Sequence, residues 1–304
     1  MQLILKNIGP TTGLVSWLKG FKDINNTILV EVDLLEKKFI TKCFTESRNI
    51  IKYSELSFEN AGYVLDALTD NDNNSLLTKN KELSASYKNT FTGDDRIKIG
   101  LYDILTNIID VAIMYADNVE HTITITFDAA NNVKYVGSDK AMQQYQSEKM
   151  IFSSKTLTMT INCTVLTEFF RFLDDTKFNN VCKLGNEMSC VVTPETVSNL
   201  SRISQLFKSE KSRSAIKFYT LYEDGAWTLY ALDENDGRYN YLLGYYADGQ
   251  TVAEASEIVL RENFITATKA LNTEMQIVMS ADKMVKRILI LTPNCKIVVA
   301  AQQI

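Results

Sequence analysis

The closing stretch, SEIVLRENFITATKALNTEMQIVMSADKMVKRILILTPNCKIVVAAQQI (residues 256–304), reads as one strand, one short helix and three more strands. Ile258 and Leu260 are the apolar positions of the first strand, residues 256–260. Phe264, Ile265, Thr268 and Leu271 then recur at helical spacing, with Arg261, Thr266 and Lys269 off that stripe. Asn272 and Thr273 end the helix. Met275, Ile277 and Met279 alternate as a half-buried strand requires. Residues 284–291 and 295–301 supply the last two strands, with a turn at Pro293-Asn294. Such a unit restricts the fold most if it recurs.

It recurs three times upstream. The first copy has a strand at 2–6, then a helix entered through Gly9-Pro10-Thr11-Thr12 that carries Leu14, Trp17, Leu18, Phe21 and Ile24 on one stripe. Strands at 27–34, 39–45 and 50–58 follow it. The second opens at 96–99, with Leu101, Ile104, Leu105, Ile108, Ile109, Ala112 and Ile113 as the buried helix face. Residues 122–127 (TITITF) alternate cleanly, 133–136 answer across an Asn131-Asn132 turn, and 157–161 make the third strand. The third copy has a strand at 189–192 and a helix opened by Pro194, with Val197, Leu200, Ile203, Leu206 and Phe207 on its stripe. Its strands are 215–222, 227–232 and 239–246, with turns at Asp224-Gly225 and Asp236-Gly237.

Two stretches fall outside the pattern. Residues 60–95 are rich in Asn, Asp, Ser and Thr and weakly periodic, which predicts an inserted loop. Residues 163–188 predict a connector with one helix carrying Leu166, Phe169, Phe170 and Leu173; a degenerate extra unit is the rival reading. The expectation is an α+β fold of four βαβββ units in two similar domains, residues 1–162 and 189–304.

Several stretches match a known family beyond pattern. LVSWLKGFKDINNTILVEV, IKIGLYDILTNIIDVA with HTITITFD, SCVVTPETVSNLSRISQLF, and MQIVMSADKMVKRILIL with KIVVAAQQI resemble elements of two-domain processivity sliding clamps, the PCNA type and that of T-even-like phages. The resemblance implies a DNA-clamp fold with helices lining a ring interior and sheets outside. It also implies a homotrimer around double-stranded DNA, with DNA polymerase and a clamp loader as partners. The Asn/Lys-rich composition and the insertions point to a viral or phage source.

A clamp must slide, so its phosphate contacts are few, screened and blind to sequence. The resemblance places DNA-facing cations on the free helix faces: Lys19 and Lys22, Arg202 and the trailing Lys208, and Arg261 and Lys269. The second helix departs from this, with Asp103 and Asp110 and no Lys or Arg. A net charge of −5 allows such local basic faces on an acidic body. The family docks an aromatic plug of a partner peptide beside the connector and C-terminal tail; that pocket corresponds here to Phe44, Ile51, Met284, Val298, Ala300 and Ala301. Ring closure in the family pairs edge strands, here 157–161 and 239–246.

The inventory argues against an enzyme. His121 is the single histidine and heads a strand, which leaves no His-based triad or His-rich metal site. No phosphate-binding or nucleophile-elbow glycine motif occurs. Asp70/Asp72, Asp94/Asp95 and Asp174/Asp175 read as solvated loop charge. Neither cofactor nor metal is expected. The five cysteines are scattered and lack a CxxC, as in a reducing cytoplasm. No apolar run approaches a membrane span, and the N-terminal run is short for a signal peptide. A cytoplasmic location follows, the host's if the source is viral. The alternative function class is a β-rich structural or adaptor protein of a virion, which has no reason to collect Lys and Arg on helix faces.

Overall fold

The structure is a computed structural model; it describes residues 1–91, 93–117, 120–133, 142–163, 175–206, 215–233, 240–246, 257–261, 263–268, 271, 273–282 and 284–301. The chain divides into two compact units, Met1–Cys43 with Ser54–Arg171, and Phe44–Tyr53 with Phe172–Ile304.

The first unit begins β1 (Gln2–Asn7), α1 (Thr12–Lys22), β2 (Ile28–Asp33), β3 (Lys38–Phe44) and β4 (Ile50–Ser57), with Phe44 of β3 and residues 50–53 of β4 counted in the second unit. After β5 (Tyr63–Thr69) and the short α2 (Ala85–Thr90), the order repeats: β6 (Gly93–Leu101), α3 (Leu105–Met114), β7 (His121–Val133), β8 (Met142–Ser154) and β9 (Thr158–Asn162). The two βαβββ copies trade strands. β1 pairs antiparallel with β7, and β6 pairs antiparallel with β2, so each copy's first strand completes its sister's sheet. β8 then joins the two halves through a parallel pairing with β6.

The second unit repeats this exchange. Its elements are α4 (Asp175–Cys182), β10 (Glu187–Val192), α5 (Pro194–Leu206), β11 (Ala215–Glu223), β12 (Ala226–Asp233) and β13 (Asn240–Tyr245), then β14 (Glu257–Arg261), α6 (Asn263–Thr268), β15 (Met275–Ser280), β16 (Arg287–Thr292) and β17 (Cys295–Ala300). β10 pairs with β15 and β14 with β11. Gly244 in β13 sits where a Cβ would meet the Val191 carbonyl oxygen at 2.5 Å and the Cys190 sulfur at 2.8 Å, so only glycine lets β13 approach β10 this closely.

Sequence periodicity accounts for the helices. Leu14, Leu18 and Phe21 of α1 are buried, and Trp17 meets Phe21 edge-on at 5.6 Å while its Nε1 donates to Ser54 Oγ at 3.1 Å. Leu105, Ile108, Ile109 and Ala112 of α3 are buried, but Ile113 is 43% exposed. Leu101, expected on that helix, ends β6 instead; Asp103 takes a left-handed φ of 56° before the helix starts.

Other expectations are corrected. Residues 63–69, read as part of an insertion, form β5 against β1. A register shift at Ile4/Leu5 leaves Asp66 as the extra residue, so Leu65 and Leu68 are both buried although three positions apart. Period-two alternation is lost there, and with it the strand signal. Residues 131–133 belong to β7, whose Val133 pairs with Met142, so no turn lies at Asn131-Asn132. The polar 142–149 stretch is the start of β8. Register shifts at Thr126/Phe127 and Ala130/Val133 scramble its pattern too. The helix proposed on Leu166, Phe169, Phe170 and Leu173 lies outside the described residues, as do Phe207 and the Asp236-Gly237 turn; α4 follows at 175–182.

One face of the first unit's sheet buries charge. Lys42 is 1% exposed and lies 3.2 Å from Glu31 Oε1, while Arg96 reaches Glu31 Oε2 at 3.0 Å and Asp33 at 3.5 Å. Glu31 is thus the hinge of a buried ion group spanning β2, β3 and β6. Glu31→Ala removes the carboxylate that Lys42 and Arg96 share and is expected to cost about 3–5 kcal/mol in denaturant unfolding. Glu31→Leu with Lys42→Met should recover most of that loss; an equally unstable double variant would contradict this account.

Candidate nucleic-acid and partner interfaces

α1 and α3 pack against each other, and α5 packs against α6, within their own units. Their buried stripes face the sheets, and α1, α3 and α5 each keep an exposed face. On α1 these are Ser16, Lys19 and Lys22, all exposed, with both lysines in the last turn, where cations suit the helix dipole. α3 is held at its N-terminus by the loop after α1: Asn26 Oδ1 accepts from the Thr106 backbone N–H at 2.9 Å and from its hydroxyl at 3.0 Å. Asn26 Nδ2 donates to Asp103 Oδ1 at 2.8 Å. The open face of α3 shows Asn107, Asp110, Ile113 and Met114.

In the second unit, Thr193 Oγ1 accepts from the Thr196 N–H at 3.2 Å and starts α5, whose open face carries Ser198 and Arg202. α6 is anchored by Phe264, fully buried and 4.8 Å from the Phe218 ring. Arg261, expected off the stripe of this helix, is instead the last residue of β14, paired with Ala215. Lys208 and Lys269 lie outside the described residues. Of the six expected DNA-facing cations, the described structure therefore has Lys19, Lys22 and Arg202 on open helix faces.

The residues expected to bind a partner peptide gather in the second unit, because the hairpin segment Phe44–Tyr53 belongs to it. The Ala300 N–H donates to Asn49 O at 2.8 Å and the Ala301 N–H to Lys286 O at 2.9 Å, which brings the end of β17 beside the start of β4. Ile51, Ala300 and Ala301 are half-buried, and Phe44 is buried. Met284 is 85% exposed in the loop before β16, not in the strand. Val298 is buried in a cluster with Leu184, Val278 and Leu289, flanked by Val181, Cys182, Val285 and Leu291. The segment after β9 does more than connect: Phe178 of α4 stacks on Tyr53 at 5.4 Å, and Leu184 is buried in one cluster with Val298. That cluster also explains why Val278 of β15 is buried against the alternation.

His121 is buried, with its Nε2 2.6 Å from the Tyr63 hydroxyl, and burial pushes that phenol well above its ordinary range. Burial likewise pushes the thiols of Cys163 and Cys190 up to about 11 and about 12, so both are protonated and poorly nucleophilic at neutral pH. Among the described residues no helix is long and apolar enough to cross a membrane.

Solved structures share this fold. The DNA polymerase sliding clamp of Bacillus subtilis superposes with a TM-score of 0.59 at 11% identity, covering 99% of this chain and 64% of that one. The Helicobacter pylori beta clamp bound to a DNA ligase peptide gives 0.54 at 10%, covering 99% and 66%. The A. fulgidus PCNA bound to the C-terminal region of FEN-1 gives 0.56 at 9%, covering 100% of this chain and 98% of that one. The chain thus spans about two thirds of the bacterial clamps and nearly all of the archaeal one. No family model and no curated protein matches the sequence. The chain has the fold of these sliding clamps.

Phe178→Ala is expected to remove the stacking that seats α4, at a cost of about 3–5 kcal/mol. Amide hydrogen exchange should then accelerate in residues 175–182 before the rest of the chain. Unchanged protection there would mean that the Tyr53 contact does not hold the helix.

Proposed function

We propose that the protein is a sliding clamp that encircles duplex DNA as a homotrimer and tethers the replicative DNA polymerase and other DNA-acting partners for processive synthesis. The observation that carries this is reciprocal coverage: the fold extends over this entire chain and over 98% of the archaeal clamp. A chain of two paired-unit domains supports three copies per ring, where the longer bacterial chains carry more protein each. β9 and β13 each lie at an edge, with β8 and β12 as their described ladder partners, and these edges are the pairing surfaces between copies.

In this ring the open faces of α1 and α5 look onto the duplex. Lys19, Lys22 and Arg202 touch phosphates, joined by Lys208, Lys269 and Arg261. An acidic protein suits the task, since the hold is topological and the contacts need only be transient. A partner's aromatic plug docks on the outer face around Ile51, Ala300 and Ala301, with Phe44 at its edge, the exposed Met284 as an adaptable rim and Val298 beneath. A clamp loader opens the ring, in the cytoplasm of the cell where the DNA is copied.

Light scattering over a range of concentrations measures the assembly. A stable species near three times the 34.4 kDa chain is expected. A strict monomer at high concentration would sink the autonomous ring.

A further inference from the structure

The open face of α3 carries charge of the wrong sign for a helix beside DNA. Asp110 is exposed, and its helical neighbours three and four positions away are Thr106, Asn107, Ile113 and Met114, none of them a cation. It sits before the last turn of the helix, and no basic residue occupies that turn. Within α3 itself no side chain of opposite charge answers Asp110. Asp103, held by Asn26 just before the helix, and the exposed Asp117 just beyond it add an acid at either end. The same face ends in Ile113 and Met114, 43% and 55% exposed, which offer nothing to a phosphate. α1, packed alongside, has the opposite pattern, with Lys19 and Lys22 in its last turn.

We propose that α3 is an electrostatic spacer: Asp110, backed by Asp103 and Asp117, holds the duplex off this helix and confines phosphate contacts to α1 and α5. This rests on the sliding-clamp reading. Screening has a range of about 8 Å at physiological salt, so only charges on the helices nearest the phosphates are felt and distant acids are irrelevant. Each contact withheld lowers the number of counterions released on binding. Affinity and its salt dependence fall together, as a ring that must slide requires.

The test is fluorescence anisotropy of a labelled linear duplex at low and moderate ionic strength, using the full chain and four variants. Asp110→Asn is expected to tighten binding about threefold, and Asp110→Lys further, with a salt slope steeper by about 0.9 for each added phosphate contact. Lys19→Ala with Lys22→Ala should weaken binding. Glu46→Gln, at an exposed turn off the helices, changes net charge equally and should leave affinity unchanged. Thermal unfolding reports folding, and Asp110→Asn should unfold no earlier than the parent.

If the lysine pair matters but Asp110→Asn does not tighten binding, the spacer is overturned and DNA contact stands. If Glu46→Gln tightens it as much, the effect is bulk charge and the spacer is again overturned. If the lysine pair has no effect, or no variant binds at low ionic strength, DNA contact fails and takes the spacer with it.

Discussion

Strand exchange between sister units is what the rest of this structure depends on. Within its own βαβββ copy, each first strand has an edge that finds no antiparallel partner. β1 on β7 with β6 on β2, and β10 on β15 with β14 on β11, satisfy those edges reciprocally. The repeats must therefore come in pairs. Pairing also sets the helices of each pair side by side, α1 with α3 and α5 with α6.

The two faces then follow different physics. The helix side carries exposed charge, Lys19 and Lys22 on α1, Asp110 on α3 and Arg202 on α5. The outer side of the second unit is governed by apolar packing. Leu184 is buried in one cluster with Val298, Phe178 stacks on Tyr53, and what stays half-open around Ile51 and Ala300 is a border of that packed cluster.

Where side-chain period and backbone register stay in step, the sequence discloses the fold. The helix stripes, the TITITF strand, the Asp224-Gly225 turn with its two positive φ values, and the repeated order of elements were readable for that reason. Bulges broke the correspondence. One hid β5 by placing Leu65 and Leu68 on the same side three residues apart, and two hid the start of β8. The site was harder, because a cation's position on a face depends on where an element ends. Arg261 reads as helical by spacing, yet closes β14. Val298 reads as a pocket wall, yet is buried in one cluster with Leu184, a grouping of residues more than a hundred apart that no local pattern encodes. The acidity of α3 was visible from the start as Asp103 and Asp110; its meaning needed the lysines of α1 packed beside it.

Topological linkage to DNA is best measured by retention. The protein is incubated with a linear duplex at low salt, the ends are left free or blocked with bound protein, and the mixture is passed through a sizing column at high salt. The clamp account predicts co-elution with end-blocked DNA and loss from free-ended DNA of the same length. Equal loss from both at high salt would contradict it, since contacts alone would then be all that held the protein to the duplex.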